Sequence, residues 1–410
     1  MAGSTIDHLV AVGVFIGALL LFISLFNQTI QTAIMYQRHK QIATKCSDLL
    51  DNMLLSPGVP SNWGTSNQTP LGFGLQDPEF TQYRLSPFSL LRLQSLGGTP
   101  VYYKKTGLWY SNISMGFGNF LLVPYTEAIN YSTASRLLGI NGSYGFQLTL
   151  TPVVTVSVSE TQPEDPLKIS VYVSGIGYPL ANATVSYCFL KVSYTGGGGA
   201  YPAYTANYGT VYTDETGTVV ISFPEVDDDE TSYAFIAYAH IGGLVGVGYH
   251  ERVNSDKQYV IPFIDDLATR RVLIAHSYDV HYYGPPESEI AYNATFLLLT
   301  EDFTLREMPM DNSTGKIGKV VYGEGKPYGN ITIPTYNPGI LVITYRKSAV
   351  EGGVILMPWG IGSMAFPVTF GEDTSGKDWV AADLRQVLVA GVAYQAKLAL
   401  WSYEGYQVIT

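Results

Sequence analysis

The side chains that could hold a metal or act as nucleophiles are few in this chain of 410 residues. Its two cysteines, Cys46 and Cys188, are far apart and form no CxxC motif, which excludes zinc ribbons and c-type haem attachment. His276, Asp279 and His281 are close in sequence, but on a strand His276 and His281 would point to opposite faces. The sequence therefore predicts no metal site and no disulfide framework.

No catalytic motif is present in the sequence, since GxSxG, Walker and HExxH patterns do not occur. Gly196–Gly199 is typical of a flexible turn, and Asp227–Glu230 of a solvated acidic turn with calcium binding as the alternative. Two hydrolytic carboxylates leave no sequence signature, so an anchored hydrolase stays as an alternative. We predict that the protein is not an enzyme and has neither catalytic nor cofactor-binding residues.

The composition indicates a folded, β-rich protein with a polar but weakly charged surface. Charged residues make up 14% of the chain, against about 25% in typical soluble domains, and 31 tyrosines accompany 42 glycines. The apolar fraction of 46% excludes a disordered chain. The net charge of −11 argues against a nucleic-acid partner, which would require a basic surface.

The chemistry-bearing residues would be positioned by a long N-terminal helix and a β-rich region. Leu9–Phe26 has no charged residue and spans about 27 Å as a helix, close to the thickness of a membrane core. A cleaved secretory signal is the alternative, although such signals have a shorter apolar run after basic residues. Residues 27–55 contain no Gly or Pro, and Ser56-Pro57-Gly58 ends the helix. Apolar residues in this second half recur on one helical face: Met35, Ile42, Cys46, Leu49, Leu50 and Met53.

A helix of about 75 Å must pack against a globular head, against copies of itself, or both. Its polar start, apolar half and amphipathic half resemble type IV pilins and their archaeal pilin-like relatives. Gly3–Val10 resembles a prepilin processing junction, and Leu54–Gly64 resembles the end of the helix in archaeal pilin-like surface proteins. The resemblance covers about residues 3–64.

The resemblance implies a role in assembly for Asp7, which would be the fourth or fifth mature residue and could meet a neighbour's amino terminus. Alternatively, Asp7 lies among lipid headgroups or caps the helix. Gly13 and Gly17 form a small-xxx-small face that allows helices to approach closely. The residues assigned to helix packing or assembly are Asp7, Gly13, Gly17, Met35, Ile42, Leu49 and Met53.

Two signals disagree about membrane orientation. Arg38, Lys40 and Lys45 follow the apolar run and no basic residue precedes it, which favours a cytoplasmic C-terminus. However, nine of the fifteen asparagines lie in Asn-x-Ser/Thr acceptors, where chance predicts about two. We therefore place the C-terminal domains outside and regard Asn27, at the membrane edge, as the least accessible acceptor. The predicted glycosylation sites are Asn67, Asn112, Asn130, Asn141, Asn182, Asn293, Asn312 and Asn330.

The predicted fold class is α+β and mainly β. The helix has a membrane-spanning half (1–26) and an amphipathic half (27–58), and a pilin-like α+β head follows at 59–150. Alternation of Val154, Val156 and Val158 with polar residues, repeated over about six strands, predicts an immunoglobulin-like β-sandwich at 151–255. Residues 256–410 are predicted to form a second β-rich domain; the alternative is that its last strands return to complete the head.

A tyrosine-rich loop is predicted between Gly196 and Tyr212. Tyrosine among small polar residues offers a large contact area at little entropic cost, which suits a neighbouring subunit, a glycan or a host surface. The alternative is that the rings pack on their own domain. The residues concerned are Tyr201, Tyr204, Tyr208 and Tyr212.

Together these features predict a structural subunit of an extracellular type IV pilus-like filament, specifically a large minor, tip or adhesive pilin. Its partners would be copies of itself or other pilin-like subunits through the N-terminal helix, the membrane before assembly, and a glycan or cell-surface ligand. The predicted location is the cell surface, with a single-pass anchor. The alternatives are a monomeric membrane-anchored surface glycoprotein or adhesin, and an anchored extracellular hydrolase.

Overall fold

The computed structural model describes residues 2–80, 82–93, 99–114, 120–193, 200–226, 231–255, 258–281, 289–300, 304–318, 328–348, 350–377 and 379–403. The helices are α1 (Ala2–Leu55), α2 (Pro87–Leu93), α3 (Tyr131–Leu137) and α4 (Ser277–His281). The strands in chain order are β1 (Arg84–Leu85), β2 (Val101–Tyr103), β3 (Leu108–Ser114), β4 (Phe120–Pro124), β5 (Tyr144–Pro152), β6 (Val154–Gln162), β7 (Leu167–Gly175), β8 (Tyr178–Pro179), β9 (Thr184–Ser193), β10 (Ala203–Tyr212), β11 (Thr218–Phe223), β12 (Tyr233–Ile241), β13 (Leu244–Arg252), β14 (Val260–Asp266), β15 (Arg271–His276), β16 (Glu289–Leu299), β17 (Leu305–Met308), β18 (Thr314–Gly318), β19 (Tyr328–Thr332), β20 (Gly339–Arg346), β21 (Gly352–Trp359), β22 (Val368–Gly371), β23 (Ala381–Val389) and β24 (Val392–Ser402).

α1 is a single helix of 54 residues, as the sequence predicts. It ends just before Pro57, where Gly58 adopts a φ of +82°, a conformation that favours glycine. The buried indole of Trp63 fixes this end, because its Nε1 donates to the carbonyl oxygens of Pro57 and Gly74, each at 3.0 Å. The direction in which α1 leaves the globular region is therefore set by contacts at its C-terminal end.

The head sheet combines two distant parts of the chain. Its strand order is β1-β23-β24-β5-β22, so three of its five strands come from the C-terminal region. β24 pairs antiparallel with β5 along nine residues, from Tyr394↔Pro152 to Ser402↔Tyr144. Residues 256–410 are therefore not one separate domain. The alternative organisation, in which the last strands return to complete the head, is the one observed.

The immunoglobulin-like sandwich extends from β6 to β13, within the predicted range. One sheet has the order β11-β7-β6, with β8 beside β7, and the other has the order β10-β9-β12-β13. The predicted alternation holds, since Val154 and Val156 are buried whereas Thr155 and Ser157 are exposed. Aromatic side chains join the two sheets across the core, and the rings of Phe189 and Phe223 stack with centroids 4.0 Å apart.

A second pair of sheets contains the remaining strands. The six-stranded sheet has the order β19-β15-β14-β4-β3-β2, and the five-stranded sheet has the order β17-β16-β20-β21, with β18 beside β16. Ile274 and Phe296 of the two sheets belong to one buried cluster. Because β2, β3 and β4 come from the region before residue 150, the predicted 59–150 head also contributes strands to this second β unit. The fold class is confirmed, whereas these two domain boundaries do not separate structural units.

Candidate membrane-spanning and assembly helix

The C-terminal half of α1 packs against the hairpin formed by β23 and β24. Cys46, Leu50, Met53 and Leu54 are completely buried, while Ile42 and Leu49 are 6% and 7% exposed. They share one hydrophobic cluster with residues of both strands of the hairpin. Burial of a large apolar side chain contributes about 1.5–3 kcal/mol, so this face attaches the helix firmly to the head.

Cys46 lies in the middle of this interface. Its Sγ donates a hydrogen bond to the carbonyl oxygen of Leu398 at 3.3 Å. Burial, followed by the nearby charge of Asp383, raises the pKa of the Cys46 thiol to about 11. Cys46 and Cys188 are both free and buried. A neutral, enclosed thiol is a packing group and not a nucleophile.

Arg385 on β23 forms the polar rim of the docked interface. Its Nε donates to Oδ1 of Asp51 at 2.9 Å, and its Nη2 donates to Oδ2 of Asp51 at 3.2 Å and to Oγ of Ser47 at 3.0 Å. A second carboxylate, that of Asp383, lies 2.8 Å from Nη1. The hydrogen bond with Asp51, followed by that with Asp383, raises the pKa of Arg385. This bidentate contact between Arg385 and Asp51 fixes the rotation of the helix as well as its distance from the sheet.

The N-terminal half of α1 is free of the head. Every side chain from Ile6 to Ile34 is exposed, and further along the helix the ring of His39 packs against that of Trp379, with centroids 4.3 Å apart. By length and composition this helix could cross a membrane: its most apolar window has a mean hydropathy of 2.8 and none of that window is buried. A Cβ added to Gly13 or Gly17 would meet no atom within 4 Å, so that face is open.

The structure divides the residues predicted for helix packing into three groups. Ile42, Leu49 and Met53 are covered by the chain's own head, so the expectation that they form contacts between subunits is wrong for these three. Met35 is half-buried near the edge of the docked region. Asp7, Gly13 and Gly17 lie on the free half, and their role in assembly stays a prediction. The periodicity correctly indicates a buried face, but its partner is intramolecular.

The residues that hold the helix in place include two that the sequence analysis did not identify. Arg385 lies on a strand that follows the helix by more than 300 residues, and nothing local links it to Asp51. Trp379 is 46% exposed in the connection before β23, although its ring packs on His39. Neither residue belongs to a sequence motif that points to the helix, because both contacts join parts of the chain more than 300 residues apart.

The predicted glycosylation acceptors are distributed over the surface of the β-rich region. Asn130 also caps α3, because its Oδ1 accepts from the N–H of Thr133 at 2.8 Å. Asn182 and Asn312 lie in left-handed turn conformations, each with a φ of 57°. Asn112 and Asn293 are half-buried. The exposed acceptors are Asn67, Asn130, Asn141, Asn182, Asn312 and Asn330.

Most of the predicted tyrosine loop is a strand. Residues 203–212 form β10 and pair with β9 without interruption, so the prediction of a loop is wrong there. Tyr204 donates a hydrogen bond to Glu307 of the second β unit. Tyr201, Tyr208 and Tyr212 are 49%, 47% and 61% exposed. Gly196–Gly199 at the start of the predicted loop, and the acidic turn Asp227–Glu230, lie outside the described residues.

The buried ionisable groups of the head serve the fold. The guanidinium of Arg92 donates from Nε to the carbonyl oxygen of Glu127 at 2.7 Å, and from Nη1 to the carbonyl oxygens of Trp63 and Ser66. Burial raises the pKa of the Glu127 carboxyl to about 7, although the charge of Arg92 opposes this rise. These contacts connect the end of the long helix to α2 and to the segment after β4.

A second polar group lies near His276, one of the three residues that are close in sequence to each other. Lys347 Nζ donates to the hydroxyl of Tyr259 at 2.6 Å, and that hydroxyl donates to Glu351 at 2.7 Å. His276 is 1% exposed and accepts from the N–H of Tyr278 at 3.2 Å; burial, followed by the charge of Lys347, lowers its pKa to about 4. Among the described residues no three His, Cys, Asp or Glu side chains could share a metal ion.

Comparisons with known proteins add little. No protein-family model matches the chain, and no curated protein matches it. One similar solved structure is the transglutaminase of red sea bream, at 10% sequence identity and a TM-score of 0.17. The match covers 62% of this chain and spans only 37% of the length of that chain. At this TM-score the likeness carries no argument about function.

Proposed function

We propose that the protein is a subunit of an extracellular type IV pilus-like filament, assembled through the free half of α1. Its size and additional β domains favour a minor, tip or adhesive subunit over the main repeating one. Before assembly the apolar span would hold the subunit in the membrane, with the β-rich region outside. The mechanism is physical: helices exchange contact with lipid for contact with one another.

One observation carries the proposal. The apolar run that is long enough to cross a membrane ends at Phe26, and the docked region begins near His39. The segment between them still exposes apolar side chains. Ile30, Ile34 and Tyr36 are 41%, 48% and 73% exposed. A monomeric anchor has no use for apolar groups between the membrane and the head, whereas a bundle of parallel helices would bury them.

The rigid attachment of α1 is consistent with this role. The buried face from Ile42 to Leu54 and the bidentate contact of Arg385 with Asp51 hold the helix at one angle to the head. A fixed angle lets the same surface of each subunit meet its neighbour, as a regular assembly requires. The exposed acceptors Asn141 and Asn182 would suit a glycosylated outer surface.

The experiment compares two single substitutions in cells that produce the protein. Ile34→Asp places a carboxylate on the exposed segment but leaves the apolar run Leu9–Phe26 and the docked face unchanged. Gln41→Asp is the matched control, because Gln41 is exposed, is already polar and lies beside the docked region. Surface filaments are sheared from the cells, imaged by electron microscopy and probed for the protein.

We expect Ile34→Asp to abolish incorporation into filaments while the protein still accumulates in the membrane, and Gln41→Asp to assemble normally. Normal incorporation of the Ile34→Asp variant would contradict the proposal. If the unsubstituted protein is found only as a membrane-bound monomer, the alternative of an anchored surface glycoprotein is correct instead.

A further inference from the structure

The edge strand β10 is unusually suited to pairing with another chain. Among the described residues β10 pairs only with β9, at the outer side of the sheet β10-β9-β12-β13. None of its ten residues is buried and none is charged, and its register with β9 is continuous. Natural edge strands are usually protected by lysine, proline or a bulge, and β10 has none of these.

The outward-facing hydrogen-bonding groups of β10 can be assigned from its neighbours. The N–H of Val192 on β9 donates to the carbonyl oxygen of Ser232 at 2.9 Å, on the side of β9 away from β10. Val192 is opposite Tyr204, so this pair exchanges no backbone hydrogen bonds, and Tyr204 presents its N–H and C=O outward. Because the pattern alternates, the five even-numbered residues from Tyr204 to Tyr212 all present theirs outward.

The sequence of β10 is nearly symmetric about Tyr208. Two copies paired antiparallel with Tyr208 opposite Tyr208 would place Tyr204 opposite Tyr212 and Ala206 opposite Thr210. All of these positions are even-numbered, and the even-numbered residues present their backbone N–H and C=O groups outward. The register that pairs these side chains therefore also pairs the outward backbone groups. Each such pair exchanges two hydrogen bonds, which gives about ten across the interface. Aromatic side chains directly opposite each other also stabilise such a pairing.

We propose that β10 joins two copies of this chain edge to edge, about a two-fold axis through Tyr208. The sheet β10-β9-β12-β13 of each copy then becomes half of one continuous sheet of eight strands. A second copy is the partner because the symmetry about Tyr208 matches tyrosine to tyrosine and small residues to small residues. A different partner strand would have no reason to require that symmetry.

The contacts of β10 within its own chain leave this edge available. Tyr204 reaches Glu307 from the face of the sheet, and Asn293 Nδ2 donates to the carbonyl oxygen of Pro202, just before the strand, at 3.3 Å. These contacts hold the first part of β10 against the second β unit without using its outward backbone groups. The pairing is independent of α1 and therefore goes beyond the filament proposal.

Disulfide trapping tests the register directly in the full-length protein in detergent. Thr205 and Val211 of opposite chains would face each other as a non-hydrogen-bonded pair, with Cα atoms about 4.5 Å apart, within disulfide range. The variants Thr205→Cys and Val211→Cys are prepared separately, mixed and oxidised. Identical positions in the two chains would be about 20 Å apart along the strands, so neither variant alone can form the bond.

We expect disulfide-linked dimers in the mixture and no disulfide-linked dimers from each variant alone or from the unsubstituted chain, whose Cys46 and Cys188 are buried. Equal dimer yields from a single variant, or no dimer in the mixture, would overturn the proposal. This result does not depend on filament formation, so failure of either proposal can be recognised separately.

Charge pairing at the two-fold axis gives a second test that does not require a disulfide. Tyr208→Lys and Tyr208→Glu each place two like charges opposite each other, so each variant alone should sediment as a monomer. Mixing them should restore the dimer, because opposite charges then meet. Tyr201→Lys is the control, since Tyr201 is similarly exposed but lies outside β10. Circular dichroism checks that each variant is folded; folded variants that dimerise alone would contradict the symmetry.

Discussion

Leu50 provides the most quantitative test of how α1 is attached to the head. Its side chain is completely buried at the contact with the β23–β24 hairpin. Leu50→Ala removes about three buried carbon groups at about 0.8 kcal/mol each and leaves a cavity that adds to the cost. We expect the free energy of docking to fall by about 3 kcal/mol. Leu21→Ala makes the same change where the side chain is 67% exposed, and should cost less than about 0.5 kcal/mol.

The thiol of Cys46 reports docking directly. In the docked state it is 0% exposed and its pKa is raised to about 11, so it should not react with a thiol reagent at pH 8. Labelling then requires α1 to leave the hairpin, and its rate follows the population of the open state. A loss of about 3 kcal/mol corresponds to labelling about 100-fold faster. Cys188→Ala removes the other cysteine, so that one thiol is observed.

The comparison of the two variants decides the result. Labelling of Leu50→Ala should be about 100-fold faster than that of Leu21→Ala, which should match the unsubstituted chain. If the two leucine variants label at equal rates, or if Cys46 reacts as fast as a free thiol in the unsubstituted chain, the C-terminal half of α1 is not docked as described.

Three further predictions concern charges and surface sites. Arg385→Ala and Asp51→Ala should be coupled by about 0.5–1 kcal/mol in a double-mutant cycle measured by Cys46 labelling, and the coupling should shrink in 1 M salt. The pKa of Glu127 is raised from 4.5 to about 7, so the folded state holds the extra proton and stability falls as pH rises through this interval. Glu127→Gln should therefore stabilise the protein at pH 8 but not at pH 4, as measured by thermal unfolding. Mass spectrometry of native protein should find glycans on exposed acceptors and none on the half-buried pair Asn112 and Asn293.

The features predicted well from the sequence are those that depend on local patterns. The extent of α1 follows from an uninterrupted apolar run, an amphipathic period and a Ser-Pro-Gly end, all of which are neighbours in sequence. The strands of the sandwich follow from alternation such as that of Val154 and Val156. In both cases the side chains that determine the element lie within it.

The partners of these elements could not be predicted in the same way. The spacing of Ile42, Leu49 and Met53 shows that one helical face is buried. The same spacing would be found whether a sheet or another helix covers that face. The return of β24 to pair with β5 depends on contacts between residues far apart in sequence. For β10, the glycines before it and the small polar residues within it are typical of a loop. None of its side chains is fully buried, and its sequence lacks the alternating aliphatic residues that mark the sandwich strands.

The most direct test of the filament proposal is photo-crosslinking from position 34 of α1 in cells that produce the protein. A photoreactive phenylalanine analogue replaces Ile34, which is 48% exposed and lies between the apolar span and the head. The same analogue at Gln41, beside the docked region, is the control. We predict that position 34 yields a ladder of linked subunits through their N-terminal helices and that position 41 does not. If position 34 yields only monomer, or adducts with lipid alone, the free half of α1 is an anchor and not an assembly surface.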